Sequence, residues 1–161
     1  MPYIDIPDGD SDPEVRVWAL RPEIGIGAGA LSHAIYDQSI VPARERELAR
    51  MRIALINGCA ICQQWRATPG AAGTVTEDEY TSVSDWKRCT TYSARDRLAI
   101  EYAERFALDH HNIDEAFFTR LRAAYTDAEI LDLTVCIGGW LALGRTLHVL
   151  GIDDNCTLAR Q

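Results

Sequence analysis

The sequence predicts an all-α fold, a single-domain helical bundle. Three observations lead there. Apolar residues recur at helical spacing nearly throughout the chain. No segment sustains the period-two alternation of a half-buried strand. Helix-ending and helix-starting residues stand at the joints: Asn57-Gly58, Ser93, and Thr126 with Glu129. The 161 residues fit one domain, 1–161, and a chain of this size buries roughly 70% of its unfolded surface. It therefore needs neither a disulfide framework nor a structural metal in order to fold.

The elements follow in order. Met1 to Asp12 reads as an extended N-terminal arm. Pro22 to Gln38 forms a helix in which Gly25, Gly27 and Gly29 permit close packing against a neighbour. Pro42 suits the first turn of the next helix, and ARERELARMRIALIN runs from Ala43 until Gly58 ends it as a left-handed cap. Cys59-Ala60-Ile61-Cys62 opens a helix expected to reach about Ala67, before Thr68-Pro69-Gly70 breaks it. Short helices are expected over Thr76 to Val83 and Ser84 to Arg88. Ser93 caps a long helix whose Leu98, Tyr102 and Phe106 share one face. Ile113 to Tyr125 is amphipathic, with Phe117, Leu121 and Ala124 on one side. Thr126 and Glu129 form a capping box for a last helix reaching about Leu150, where Gly151 stops it. That helix is apolar on most faces from Ile130 to Leu143, which places it centrally or between subunits.

Charge narrows the partners. Sixteen Lys and Arg face 24 Asp and Glu, a net charge of −8. Such a surface repels phosphate backbones and anionic membranes, so neither nucleic acid nor a membrane is an expected partner. No apolar run is read as approaching the roughly 18 residues that cross a bilayer. Met1 to Ser11 is acidic and lacks the basic start and apolar centre of a signal peptide. The cytoplasm is the expected location, and there cysteines rest reduced.

In a reducing compartment the Cys59-x-x-Cys62 pair reads as a redox couple or half a metal site. Zinc would need two further ligands. Cys89, Cys136 and Cys156 stand singly, and His33, His110, His111 and His148 lack ligand spacing, so no metal and no cofactor is expected. At a helix start the dipole and free amides favour a thiolate, and helical spacing brings the two sulfurs within reach of each other. The plainer alternative is two small core residues. Glu47 is the second signal. On a helix over Ala43 to Asn57 it shares an apolar stripe with Met51, Ala54 and Leu55, while Glu45, Arg46 and Arg50 lie elsewhere. A carboxylate on a buried stripe needs a partner or a shifted pKa, and either suits proton transfer to a thiol. A surface pair with Arg50 is the alternative.

Glu47, eleven intervening residues and then Cys59-x-x-Cys62 resemble the signature of the alkylhydroperoxidase D-like branch of the carboxymuconolactone decarboxylase family. Arg44-Glu-Arg-Glu-Leu48, Asn57-Gly58-Cys59, Ser93-Ala-Arg-Asp-Arg97, Phe117 to Leu121 and Asp127-Ala-Glu-Ile-Leu131 extend the likeness over about residues 20–152. The resemblance implies a helical subunit that assembles as trimers or hexamers, and thiol peroxidase chemistry on a small hydroperoxide with an external dithiol reductant. It implies Cys62 as the peroxidatic thiolate, Cys59 as the resolving thiol and Glu47 in the proton relay. The decarboxylase branch lacks this CxxC, so a lactone lyase is a weaker match; a redox-sensing scaffold without catalysis is the other alternative.

The family pattern carries a histidine four residues after the second cysteine, and here that position is Arg66. Arginine stays protonated and cannot shuttle a proton near neutral pH, though its charge favours a thiolate. Arg66 is expected to pair with Glu47, or lie close to it, across the hairpin at Asn57-Gly58. Trp140 stands where relatives often carry a polar residue. The remaining residues have local readings. His33 pairs with Asp37, while His110, His111 and His148 suit helix C-termini. Cys89, Cys136 and Cys156 are structural or exposed, and Trp65 packs in the core or covers the pocket beside the cysteines.

Overall fold

The computed structural model describes residues 2–67 and 75–152, and among these every regular element is helical. Cys156 lies outside the described residues. The arm has no helix or strand up to Asp12 and bends at residues 3–4 and 9–11; it then winds into a short helix, α1 (Pro13–Arg16), and a 3₁₀ turn (Val17–Leu20). Neither had a signal in the sequence reading. Then come α2 (Pro22–Asp37), α3 (Ala43–Asn57), α4 (Ala60–Gln64), α5 (Glu77–Ser82), α6 (Ala94–Leu108), α7 (Glu115–Ala124) and α8 (Asp127–Val149).

The caps expected from sequence form. Gly58 has φ 69° and its N–H reaches the α3 carbonyls of Ala54 and Leu55. Ser93 with Asp96, and Thr126 with Glu129, close capping boxes on α6 and α8. A third box, Thr76 with Glu79, starts α5. Over residues 83–88 a 3₁₀ turn (Val83–Asp85) replaces the second short helix expected there. Helix α7 begins later than Ile113 because the Asp114 carboxylate accepts from Phe117 N at 2.8 Å.

Helix α4 is also shorter than expected. An α-helix continuing past Gln64 would need the Cys62 carbonyl for the amide of residue 66. That carbonyl instead accepts from Arg50 Nη1 at 2.6 Å, and Trp65 O accepts from Arg50 Nη2 at 3.1 Å. Side-chain donors have taken the terminal acceptors, and Trp65 turns extended.

Helix α3 is the axis of the fold, packing on α6 and α8. One cluster joins Ala49 and Ile53 of α3 to Leu98, Tyr102, Phe117, Leu121, Leu133 and Ile137. A second joins Leu48, Met51 and Ala54 to Val75, Tyr80, Val83, Trp86, Tyr92 and Ile100. Arg44 binds Glu79 of α5 and Asp96 of α6, pinning the start of α3 to both. Close packing through small residues occurs at Gly139, where an added Cβ would sit 2.8 Å from Ile35 Cδ1, and at Gly25, 2.9 Å from Trp18 Cβ. Gly27 and Gly29 have nothing within 4 Å of that position, so close packing is not what they serve within the subunit.

Helix α8 corrects the reading that no apolar run approaches a membrane span. Its 23 residues are long and apolar enough to cross a bilayer by length and composition. The same helix supplies the core residues Ile130, Leu133, Cys136, Ile137 and Trp140, and Leu131, Val135 and Val149 remain exposed on it. Apolar core positions and apolar surface positions together produce the run.

Candidate active site

The site begins at the break between α3 and α4. The left-handed Gly58 turns the chain, and Cys59 becomes the N-cap of α4, its Sγ accepting from Cys62 N at 3.2 Å. Three residues apart, the cysteines have Cα atoms 5.3 Å from each other and are joined as a disulfide. Their surroundings differ. Cys59 is fully buried, whereas Cys62 lines a cavity of about 480 Å³. The walls are mostly apolar and come from distant parts of the chain: Val15 and Trp18 of the N-terminal segment, Ile53 of α3, and Trp140, Leu143 and Leu147 of α8. Gly144 of α8 lets the helices approach here, since a Cβ there would lie 3.1 Å from Asn57 Nδ2 and 3.6 Å from Cys62 Sγ.

Glu47 is buried, as its place on the α3 stripe predicted, but its company differs from expectation. Arg50, read as lying off that stripe, is only 2% exposed. Its Nε and Nη2 donate to the two Glu47 oxygens at 2.8 and 2.6 Å. The i, i+3 pair therefore exists, and it is an interior pair. Taking two charges from water costs several kcal/mol each, and this pair offsets the cost with excellent geometry and extra partners. Tyr80 OH donates to Glu47 Oε1 at 2.8 Å. The Tyr80 phenol is pushed well above its ordinary pKa by burial and by the Glu47 charge. Tyr36, which lines the cavity, is raised by burial, with Arg50 opposing.

Arg66 does not pair with Glu47. Its Nε lies 2.8 Å from Glu77 Oε1, and its guanidinium stacks 4.2 Å above the Tyr80 ring. Glu77 and Tyr80 are one turn apart on α5, so that helix takes up the side chain. Arg66 lies close enough to Glu47 to feel its charge, with the Tyr80 ring stacked under it and the Tyr80 hydroxyl on Glu47, but it is absent from the cavity wall. Its hydrogen bonds, and then its charge, hold the Glu77 carboxyl below the ordinary range.

Trp65 is not a core residue: it is 42% exposed, with Tyr36 5.3 Å from it and the Arg50 guanidinium 4.9 Å from its ring centre. Trp140 is buried on the cavity wall, and its indole Nε1 has no hydrogen-bond partner among the described residues. His33 pairs with Asp37 at 2.7 Å, as its spacing implied. Cys136 is buried, with its thiol pKa raised to about 12 by burial, and Cys89 is half-buried. Among the described residues no group of three His, Cys, Asp or Glu could hold a metal.

Sequence reasoning offered the Glu47–Arg50 pair but placed it on the surface, and it missed Tyr80 and Tyr36. Arg50 had a usable signal, its i+3 position from a carboxylate already placed inside. Tyr80 had none, being 33 residues from the carboxylate it binds.

Residues 22–105 match the sequence profile of the carboxymuconolactone decarboxylase family. The uncharacterised protein YnjA of Escherichia coli K12 is 33% identical over 93 residues, 58% of this chain and 51% of that protein. The uncharacterised protein YdfG of Bacillus subtilis 168 is 27% identical over 101 residues, 62% of this chain and 69% of that one. The chain thus spans about half the length of the first relative and about two thirds of the second. Among solved structures, an uncharacterised peroxidase-related protein from Silicibacter sp. TM1040 superposes with a TM-score of 0.74 at 16% identity, over 94% of this chain and 90% of that one. One from Ralstonia eutropha JMP134, described as an alkylhydroperoxidase AhpD core, gives 0.69 at 20% identity, over 87% and 75%. At these identities the superpositions establish the shared fold.

Proposed function

The chain belongs to the carboxymuconolactone decarboxylase family, and we propose that within it the protein is a CxxC-dependent thiol peroxidase. The observation that supports this most is the asymmetry of the pair: Cys62 faces an apolar cavity beside a buried Arg50–Glu47 pair, and its partner Cys59 is sealed behind it. In the reduced protein the Cys62 thiolate attacks the terminal oxygen of a hydroperoxide. The O–O bond breaks, the alcohol leaves with a proton, and Cys62 becomes a sulfenic acid. The Cys59 thiol condenses with it, releasing water and forming the disulfide. One sulfur of an external dithiol then attacks the accessible Cys62 sulfur and Cys59 leaves, taking a proton; the second sulfur of the dithiol attacks the first, releasing Cys62 and leaving the donor as a disulfide. Glu47, tied to Tyr80 and Arg50, takes the proton-handling role that the family resemblance gives it.

Reduced protein should lose both thiols together with one equivalent of hydroperoxide, and mass spectrometry should find two hydrogens missing from the peptide holding Cys59 and Cys62. Cys59→Ser should stop at a trappable sulfenic acid, and Cys62→Ser should not consume peroxide. If both thiols stay alkylatable after excess oxidant, the proposal fails. The removal of Arg66 to Glu77 favours a second reading, a redox-sensing scaffold, in which one equivalent is consumed but a dithiol donor supports no steady-state turnover.

The subunit is further proposed to assemble into a homo-oligomer. Leu131, Val135 and Val149 on α8, with Ile24 and Ile26 on α2, stay exposed, and apolar patches of this kind mark interfaces. Light scattering at micromolar concentration should read a multiple of 17.9 kDa.

A further inference from the structure

We infer that Arg50 is itself a catalytic residue, one whose Nη1 donates to the leaving oxygen of the hydroperoxide while Cys62 attacks the other. The inference rests on the peroxidase reading and assigns within it a role that neither Glu47 nor Arg66 is placed to fill.

A guanidinium has five N–H groups. Arg50 uses Nε for Glu47 Oε2, Nη2 for Glu47 Oε1 and Trp65 O, and one Nη1 hydrogen for Cys62 O at 2.6 Å. The second Nη1 hydrogen has no acceptor among the described residues. A buried donor without an acceptor is costly and calls for a reason. Nη1 is also the atom that holds the Cys62 backbone, so the spare donor sits beside the reactive residue. Arg50 and Cys62 line the same cavity, and of the described residues in its wall Arg50 alone carries a formal charge. Neither Glu47 nor Arg66 reaches that wall.

The chemistry needs such a donor. As the Cys62 sulfur takes one oxygen, the O–O electron pair moves onto the other, and negative charge grows on the leaving alkoxide. In a mostly apolar cavity few side chains can stabilise that charge. A fixed N–H beside it acts as an oxyanion-hole donor does, with no reorganisation at the moment of bond breaking. The alkoxide then takes from solvent the proton that Cys62 gave up on becoming a thiolate, and leaves as the alcohol. Lysine would not substitute, because an ammonium cannot hold both Glu47 oxygens in a planar fork and keep an outward N–H in line. The Glu47 carboxylate, locked on the opposite edge of the guanidinium, orients it.

The test separates peroxide activation from thiolate formation. In fully reduced wild type, Arg50→Lys and the charge-neutral double variant Glu47→Gln/Arg50→Gln, two second-order rates of Cys62 are followed against pH. One is oxidation by cumene hydroperoxide; the other is alkylation by iodoacetamide, which has no oxygen leaving group. The double variant keeps the measurement possible where one unpaired buried charge prevents folding. On the pH-independent plateau of each curve, where Cys62 is fully thiolate, oxidation should fall about 100-fold or more. Alkylation should stay within about threefold. Equal losses in both rates would overturn the assignment, since Arg50 would then act through the thiol or the fold. Unchanged oxidation in either folded variant would overturn it too. A wild type whose Cys62 alkylates readily but meets peroxide no faster than a free thiol overturns the peroxidase reading, and this assignment with it.

Discussion

Helix α3 is packed solid on one side and left open on the other. On the solid side Leu48 and Met51 meet Val75, Tyr80, Val83 and Ile100, and the polar groups that enter, Glu47 and Glu79, find partners in Tyr80, Arg50 and Arg44. On the open side Ile53, Ala54 and Arg50 border a void of about 480 Å³ that also holds Cys62. The difference teaches where each kind of residue can work. A filled interior fixes a carboxylate in one geometry. A cavity with one charged donor and one sulfur leaves room for a reacting molecule. Arg50 spans both, clamped by Glu47 and still reaching the Cys62 backbone.

Three measurements test this contrast. The largest effect is expected from truncation. Leu48 is fully buried on the solid side, so Leu48→Ala should cost about 2–5 kcal/mol in denaturant unfolding, through lost transfer energy and a new cavity. Leu143 already borders a void, so Leu143→Ala should cost less than about 1.5 kcal/mol. Equal costs would mean that the open side is open only in outline.

A middle-sized effect is expected from acid. Hydrogen bonding to Arg44 lowers the Glu79 pKa from 4.5 to about 2. A carboxyl whose folded pKa is depressed contributes stability that is complete above its ordinary value and is lost as pH falls through the folded one. The melting temperature should therefore drop between pH 5 and pH 2, with this pair accounting for on the order of 2 kcal/mol. Glu79→Gln should lower the melting point at pH 7 and flatten that dependence. A parallel fall in the variant would show that other carboxylates drive it.

The smallest effect is expected at Arg66. Since Arg50 and not Arg66 holds Glu47, Arg66→His releases nothing in the interior. The exposed pair with Glu77 is worth less than about 1 kcal/mol. Peroxide turnover from pH 6 to 8 should change less than about threefold. A large gain would mean that residue 66 reaches the cavity in solution and that the two sides of α3 communicate through Tyr80.

The helical class, the joints at Asn57-Gly58, Ser93 and Thr126, the position of the CxxC at a helix start and the burial of Glu47 were all legible in the sequence. The reason is range. A cap is a hydrogen bond across three residues, and a stripe is a periodicity within one helix, so both are written locally. Partners of long side chains are not. Arg66 faced the choice of Glu47 on α3 or Glu77 on α5, and helix α5 lies close enough to win. Arg50 could have pointed to water; it turned inward because two carbonyls of the truncated α4 and the Glu47 carboxylate together satisfy four of its donors. The cavity joins Val15, Cys62 and Leu147, residues that become neighbours only when α1, α4 and α8 pack. Local hydrogen bonding determined the elements from sequence alone, and the competition among distant partners for each charged side chain was decided only by tertiary packing.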